Sequence, residues 1–236
     1  MSAGDASTGD ASTGDASTAA NAAGAWTGRG AAVPTRVLLL RHGQSPLSVD
    51  RRYSGRGNPP LTEVGQSQAA AAAASVGARY PGAAAVVSSP LDRARSTAGP
   101  VAAALGVAVE VDEGFTETDF GGWEGLTFSE AAERDPDVHR AWLADSSVPP
   151  PGGESFEEVG ARVAAALRGL LERHAGTTVV LVSHVTPIKT ILRFALDAGP
   201  ALLYRLHLDL ACLSVVDFWD DGGASVRLVN DTSYLR

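Results

Sequence analysis

The chain has 236 residues and a formal net charge of −8 at pH 7. Hydrophobic residues make up 44% of it, enough for a packed core, while the acidic surface disfavours nucleic acid or an anionic membrane as a partner. Recognition of an anionic ligand is therefore expected only inside one confined pocket.

The sequence carries no signal of disulfide bonding or export. Its single cysteine, Cys212, excludes an internal disulfide and a cysteine-based metal cluster, and its apolar neighbours predict a small core residue. The N-terminus lacks the basic and apolar regions of a signal peptide, and no apolar stretch is long enough to span a bilayer. We therefore expect a cytoplasmic protein.

The first part of the chain is low in complexity. The sequence Gly-Asp-Ala-Ser-Thr occurs three times, from Gly4, Gly9 and Gly14, and an alanine- and glycine-rich stretch follows. Such small residues bury too little surface to offset the entropy lost on ordering. We expect residues 1–33 to form a disordered tail or linker and residues 34–236 to form one folded domain.

The first predicted strand leads directly into chemically active residues. Residues 37–40 are four consecutive apolar residues, typical of a buried strand in a parallel sheet. Ligands of open α/β sheets bind beyond the carboxyl ends of strands, where Arg41, His42 and Gly43 follow. Arg41 offers a planar fork for phosphate oxygens, His42 can act as base, acid or nucleophile, and Gly43 allows close backbone approach. A strand-end histidine that only caps a hydrogen bond is the alternative.

A second strand-to-helix junction carries another arginine. Thr62 is the predicted N-cap of an alanine-rich helix. Residues 84–88 form the next apolar strand, after which Ser89 and Pro90 suit the N-cap and first position of a helix. Arg93 then lies in the first turn, which places a guanidinium at the carboxyl edge of the sheet. A surface arginine is the alternative interpretation.

A third short strand, at residues 107–111, precedes a loop at residues 115–125 that is rich in glycine, acids and aromatic residues. Loops of this composition carry function more often than packing. Its three acids, Glu117, Asp119 and Glu124, are candidate proton donors, and solvent exposure is the alternative for each.

The last third of the chain repeats the pattern. Residues 178–182 are a buried strand, and His184 follows it as His42 follows the first strand. Thr186 is the predicted N-cap of the next helix, with Pro187 at its first position.

Helices and strands alternate along most of the chain. Ser155 and Glu158 form a predicted capping box at the start of a long helix. Residues 211–219 and 225–229 form a predicted hairpin that adds antiparallel strands at one side. The pattern predicts a three-layer α/β/α sandwich around a mostly parallel central sheet.

In such a sheet, Arg41, His42, Arg93 and His184 meet at one edge, and the loop with Glu117 overhangs them. Arginines orient phosphate oxygens, an imidazole can attack phosphorus, and a carboxylate can protonate the leaving oxygen. These residues predict a phosphoryl-transfer site. A zinc site made by both histidines and Glu117 is the alternative, which the neighbouring arginines disfavour by repelling a cation.

At this point the sequence resembles a known family. The stretch Leu40-Arg41-His42-Gly43-Gln44-Ser45 resembles the signature of the histidine phosphatase superfamily, which has the phosphoglycerate mutase-like fold. Further blocks match in order: Gly55-Arg56 with Pro60-Leu61-Thr62, Ser88-Ser89-Pro90-Leu91 with Arg93, Glu117 with Phe120-Gly121, Gly152-Gly153-Glu154-Ser155, and Ser183-His184. The resemblance covers almost everything after residue 35.

The resemblance implies a role for each residue of the pocket. His42 becomes the phosphorylated nucleophile, His184 the second pocket histidine, Arg41 and Arg93 the phosphate clamp, and Glu117 the proton donor. No metal or cofactor is implied. The substrate-binding residues expected from the matching blocks are Arg41, Gly43, Gln44, Ser45, Ser48, Gly55, Arg56, Arg93, Glu117, His184 and Val185.

Two positions depart from the family pattern. Ser48 stands near the usual asparagine, and Val185 replaces the glycine after the second histidine, where its side chain is expected to narrow the pocket. Residues 182–189 look most like the acid phosphatase domain that actinobacterial proteins carry behind a ribonuclease H domain, a group close to α-ribazole phosphatases. The low-complexity tail stands where such a linker would lie, and the 236 residues include no ribonuclease H segment.

We therefore predict a metal-independent phosphomonoesterase that acts through phosphohistidine on a small-molecule substrate. A homodimer is the expected oligomeric state. A phosphoglycerate mutase is the first alternative, but mutases of this fold carry a Glu-Arg-His-Tyr-Gly block and a longer insertion after it. Here the block reads Glu117-Thr-Asp-Phe-Gly, and the segment after it, residues 123–152, is shorter than the insertion of the mutases. This favours hydrolysis, because a more open pocket admits water to the phosphoenzyme. The second alternative is a non-catalytic module that binds a phosphorylated ligand.

Overall fold

The computed structural model describes residues 33–236, so the predicted tail lies almost wholly outside the described part of the chain. One six-stranded sheet runs through it in the order β3-β2-β4-β1-β5-β6. The strands are β1 (Thr35–Arg41), β2 (Ala85–Ser88), β3 (Val109–Val111), β4 (Thr178–Ser183), β5 (Leu213–Phe218) and β6 (Ala224–Asp231).

Eight α-helices connect these strands within residues 33–236. They are α1 (Pro46–Val49), α2 (Glu63–Arg79), α3 (Asp92–Leu105), α4 (Phe128–Arg134), α5 (Pro136–Ala144), α6 (Phe156–Arg173), α7 (Val185–Ala195) and α8 (Leu202–Arg205). In this described part of the chain, none of them combines the length and the apolar character needed to cross a membrane.

The strand β1 explains why the domain has three layers. Its residues alternate between the two faces of the sheet, and all four from Val37 to Leu40 are fully buried. Val37 and Leu39 pack with α6 and α7, whereas Leu38 and Leu40 pack with α2 and α3. The predicted three-layer α/β/α sandwich is confirmed.

The pairing of the strands positions the site. Strands β2, β4 and β1 are parallel neighbours, so their carboxyl ends share one edge of the sheet. Strand β5 pairs antiparallel with both β1 and β6, which confirms the hairpin and its place at one side of a mostly parallel sheet. The segments after β1, β2 and β4 carry the predicted active residues.

Two of the four predicted helix caps are confirmed, and two are wrong. Thr62 accepts the Gly65 N–H at the start of α2, and Ser155 closes the capping box of α6. Helix α3 begins only at Asp92, with Leu91 at the N-cap. The Ser89 hydroxyl accepts the Leu91 N–H at 3.4 Å and lies closer, at 2.7 Å, to Nε2 of His184. Helix α7 begins at Val185 with His184 at the N-cap, so Thr186 already lies inside the first turn.

Candidate active site

Strand pairing brings the two histidines together. Arg41 at the end of β1 lies opposite Ser183 at the end of β4, and the His42 N–H donates to the Ser183 carbonyl at 3.0 Å. His42 and His184 therefore follow neighbouring strand ends, and their ring centroids are 5.1 Å apart. Both rings are buried, His184 completely.

The hydrogen bond of His42 fixes which nitrogen can react. Its Nδ1 lies 2.7 Å from the Gly43 carbonyl oxygen, which can only accept, so Nδ1 carries the proton. Burial, followed by the charges of Arg41 and Arg93, holds the pKa of His42 well below its ordinary value. A neutral ring with its proton on Nδ1 leaves the Nε2 lone pair available for attack on phosphorus.

His184 is held from the other side of the sheet edge. Its Nε2 lies 2.7 Å from the hydroxyl oxygen of Ser89, and its buried Nδ1 has no partner within residues 33–236. Burial, and then the charge of Arg93, holds the pKa of His184 well below its ordinary value. The second histidine is therefore a neutral group beside the first.

The two arginines occupy different depths. Arg41 lines the cavity and donates from Nη1 to the Leu208 carbonyl at 2.6 Å. Arg93 is fully buried, and its guanidinium donates to the carbonyls of Ser54, Gly55 and Gly57. The Nε of each arginine lacks a hydrogen-bond partner among the described residues. Arg93 thus brings positive charge beneath the cavity, while Arg41 lies at its surface.

Among the three loop acids, only Glu117 lines the cavity. Its Oε1 accepts the N–H groups of Thr118 at 2.9 Å and Thr186 at 3.3 Å, the latter in the first turn of α7. Asp119 accepts the N–H of Gly121, and Glu124 is occupied by loop amides instead. The geometry therefore favours Glu117 as the acid that meets a bound ligand.

The cavity above His42 has a volume of about 1100 Å³, far more than a phosphate group needs. Its wall is rich in aromatic side chains: Tyr53, Phe120, Phe128, Trp142, Phe156 and Tyr204. Tyr53 and Trp142, which could stack on a ring, therefore reach the cavity, whereas Trp123 is fully buried in packing.

Ser45, Ser48 and Val185 line the cavity as the sequence predicts. The Ser45 hydroxyl has no partner among the described residues and is available to a ligand. The Ser48 hydroxyl instead bonds the backbone of Ser45 and starts α1. The Val185 side chain stands where a glycine would leave space.

The other predicted binding residues lie away from the cavity surface. Gly43 packs against Gly65, since a Cβ on Gly43 would come within 2.5 Å of the Gly65 carbonyl oxygen. The amide oxygen of Gln44 accepts the hydroxyl of Thr62 at 2.8 Å. These residues join the catalytic loop to helix α2.

Gly55 and Arg56 belong to a loop held by carboxylates. Glu124 accepts the N–H of Gly55 and of Gly57, and Arg56 lies 3.6 Å from Glu154. This loop supplies the carbonyls that bind the Arg93 guanidinium, so its contribution to the site is indirect.

Sequence reasoning missed two cations near the site. Arg162 on α6 makes two bonds to Glu154 and donates to the carbonyls of Thr116 and Glu117, so it fixes the backbone of the acid loop. Lys189 on α7 lines the cavity itself. The spacing of Lys189 from Val185 and Thr186 on one helix face was the available signal.

The described residues include no group of three or more histidine, cysteine, aspartate or glutamate side chains placed to hold a metal ion. His42, His184 and Glu117 are therefore neighbours without the convergent geometry that the zinc alternative requires.

Known proteins match this chain over most of its length. The bifunctional protein Rv2228c of Mycobacterium tuberculosis is 61% identical over 210 residues, covering 89% of this chain and 57% of its own length. The chain thus spans little more than half of that relative. Phosphoserine phosphatase 1 of Hydrogenobacter thermophilus is 31% identical over 201 residues, and a probable phosphoglycerate mutase GpmB of Salmonella paratyphi C is 32% identical over 209; both alignments cover 85% of this chain and 94% of the relative.

Solved structures match as well. The mycobacterial glucosyl-3-phosphoglycerate phosphatase Rv2419c in complex with VO3 is 31% identical, with a TM-score of 0.76 over 84% of this chain and all of that one. A putative α-ribazole-5′-P phosphatase of Escherichia coli is 26% identical, with a TM-score of 0.74 over 84% of this chain and 97% of its own. The predicted phosphoglycerate mutase-like fold is confirmed. A family model matches residues 37–232, and the chain belongs to the histidine phosphatase superfamily (branch 1).

Proposed function

We propose that the chain hydrolyses phosphomonoesters through a phosphohistidine on His42, without a metal ion. One observation carries the proposal: a neutral imidazole, with its Nδ1 bonded to a carbonyl, lines the same cavity as Arg41 and Glu117. Phosphatase-named relatives and structures support hydrolysis as the reaction class.

The proposed reaction has two balanced steps. In the first, His42 Nε2 attacks phosphorus while the ester P–O bond breaks, and Glu117 gives its proton to the leaving oxygen. In the second, Glu117 takes a proton from water, the water oxygen attacks phosphorus, and the P–N bond breaks to release phosphate. Arg41, Arg93 and His184 stabilise the charge on the phosphoryl oxygens.

The first test is phosphate release from p-nitrophenyl phosphate by the parent chain and by His42→Ala. We expect activity in the parent that persists in EDTA, and a loss of several orders of magnitude in the variant with little change in Tm. Quenching the parent in alkali, where phosphohistidine survives, should show phosphate on His42. Substantial turnover by the variant would refute the phosphohistidine step.

The mutase alternative has support of its own, because a mutase-named relative matches as well as a phosphatase-named one. Incubation with 3-phosphoglycerate separates the two activities: we expect release of free phosphate rather than 2-phosphoglycerate. A binding module without catalysis would give neither product. Parallel assays with α-ribazole phosphate, phosphoserine and sugar phosphates would then identify the substrate class. Preferred turnover of the first would support an α-ribazole-type acid phosphatase, and preferred turnover of phosphoserine a phosphatase for esters whose alcohol carries an anionic group.

The sequence-based expectations of a homodimer and a cytoplasmic location stay proposals. Size-exclusion chromatography with light scattering tests the first, and fractionation of the source cells tests the second.

A further inference from the structure

One residue of the cavity stands out by composition. Lys189 is the only lysine in a chain whose lysines and arginines together number 19. We propose that its ammonium binds a second anionic group, carried by the leaving alcohol of the substrate, and so makes the enzyme prefer phosphomonoesters whose alcohol bears a carboxylate or another phosphate. This inference rests on the proposed phosphatase function.

The position of Lys189 places it on the leaving-group side of the cavity. Val185, Thr186 and Lys189 all line the cavity from α7, at a spacing that puts them on one helix face. The Thr186 N–H donates to the carboxylate of Glu117, the proposed proton donor for the leaving oxygen. Lys189 lies about one helical turn, roughly 5 Å, further along the same face. An anionic group a few bonds away from the leaving oxygen could reach it.

The hydrogen bonding of Lys189 leaves room for a ligand. Its Nζ donates to the Leu203 carbonyl at 2.7 Å, which occupies one of its three N–H bonds. No carboxylate within residues 33–236 forms an ion pair with it, although the side chain is half-buried. Burial lowers the pKa of Lys189, and the charge of Glu117 opposes this without direct contact. A half-buried cation with no contacting counterion is costly, so an anion in the cavity would interact with it strongly.

The other basic side chains on the outer wall differ from Lys189 in this respect. Arg52 pairs with Glu130 at 2.8 Å, and His207 lies 3.1 Å from Asp209. Arg51 is exposed at the rim, where water screens its charge. Apart from Arg41, Lys189 is therefore the half-buried cavity cation that forms no ion pair with a carboxylate of the described residues.

The kinetic test uses two esters that differ by one charge, propyl phosphate and 3-(phosphonooxy)propanoate. We expect Lys189→Met to reduce kcat/KM for the carboxylated ester at least tenfold, mainly through KM, and to change it less than twofold for propyl phosphate. Arg51→Met is the matched control and should change both values less than twofold. Equal losses for the two esters in Lys189→Met, or a charge-selective loss in Arg51→Met instead, would overturn the proposal.

A binding measurement keeps the test independent of catalysis and of the variant's folding. Reductive methylation with ¹³C-formaldehyde keeps the positive charge and labels two amines, Lys189 and the α-amino group. In a His42→Ala chain, 3-(phosphonooxy)propanoate should shift the Lys189 signal more than propyl phosphate does, while the α-amino signal stays fixed. No such difference would contradict the role of Lys189. If the parent hydrolysed neither ester, the proposed function would have failed, and this measurement would still decide the inference.

Discussion

The two buried histidines have hydrogen-bond partners of different kinds. His42 donates from Nδ1 to a carbonyl, whereas the Nε2 of His184 faces the hydroxyl of Ser89. That hydroxyl oxygen accepts the Leu91 N–H at 3.4 Å, and its own hydrogen can be donated to Nε2. We expect this donation, which would place the His184 proton on the unpartnered Nδ1, where a neutral ring can still donate to a phosphoryl oxygen.

This arrangement makes Ser89 a positioning residue for His184. We expect Ser89→Ala to lower kcat about tenfold, the effect of roughly 1.4 kcal/mol, since one buried hydrogen bond is lost. Ser89→Thr, which keeps a hydroxyl, should recover most of the rate. Nitrogen-15 NMR of His184 should also show a changed tautomer in Ser89→Ala. An unchanged tautomer would show that the hydroxyl only fills space.

If Glu117 is the proton donor, its replacement should affect substrates with poor leaving groups more than substrates with good ones. Glu117→Gln should reduce kcat/KM for an alkyl phosphate by orders of magnitude, because an alkoxide is a poor leaving group. The same change should affect p-nitrophenyl phosphate much less, because p-nitrophenolate leaves with little help. The ratio of the two losses is the measurement. Equal losses would mean that Glu117 does not protonate the leaving oxygen.

At the scale of elements, a close contact joins the catalytic loop to α2. Gly43 and Gly65 meet so tightly that a Cβ on Gly65 would lie far inside van der Waals contact with the Gln44 carbonyl. We expect Gly65→Ala to destabilise the fold by about 1–3 kcal/mol, as overpacking does, and to lower kcat by displacing His42.

Gly160 in α6 provides the matched control for this substitution. Its added Cβ would meet nothing closer than the Arg193 guanidinium at 3.5 Å. Gly160→Ala should therefore raise stability by about 0.5–1 kcal/mol and leave kcat unchanged. Urea unfolding of both variants gives the comparison, and similar effects on stability would contradict the tight contact.

At this scale, the sequence predicted elements that depend on local patterns and missed those that depend on long-range contacts. The strand at residues 37–40 and the capping box of Ser155 depend on local patterns, and the structure has both, with the strand extended to Thr35–Arg41. Ser89 has an equally good local N-cap pattern and accepts the Leu91 N–H, but its shorter contact is with His184, 95 positions away in sequence. A local pattern does not contain that competition, so the prediction for α3 was wrong.

In the site, too, some contacts were predictable from the sequence and others were not. Sequence patterns predicted that His42, His184 and Glu117 would share one edge of the sheet, and the structure brings them together. They did not predict that Gln44 bonds Thr62, that Arg162 holds the acid loop, or that Lys189 reaches the cavity, because those contacts depend on how helices pack.

At the scale of the whole molecule, the buried histidines link stability to pH. Their pKa values are held well below 6.5 in the folded state, chiefly by burial, and return towards 6.5 on unfolding. Below pH 6.5 the unfolded chain therefore binds protons that the folded chain does not, so stability should fall as pH falls through this region.

Each such histidine contributes a slope of up to about 1.4 kcal/mol per pH unit. Urea unfolding between pH 7.5 and 5 should show this decline in the free energy of unfolding. In His42→Gln the slope should be smaller by the contribution of one histidine. A parent and variant with parallel pH profiles would show that the His42 ring is not kept neutral by folding.

The sheet order has a consequence for synthesis on the ribosome. Among the six strands of residues 33–236, β1 is the first to be made, yet both of its neighbours, β4 and β5, come from the last third of the chain. At about 5–20 residues per second, the ribosome needs on the order of ten to thirty seconds between β1 and the end of β4. During that interval the apolar run from Val37 to Leu40 lacks both of its native partner strands and is exposed to chaperones or to aggregation. The active histidine is thus translated early but acquires its second histidine, and any capacity for turnover, only after β4 has emerged.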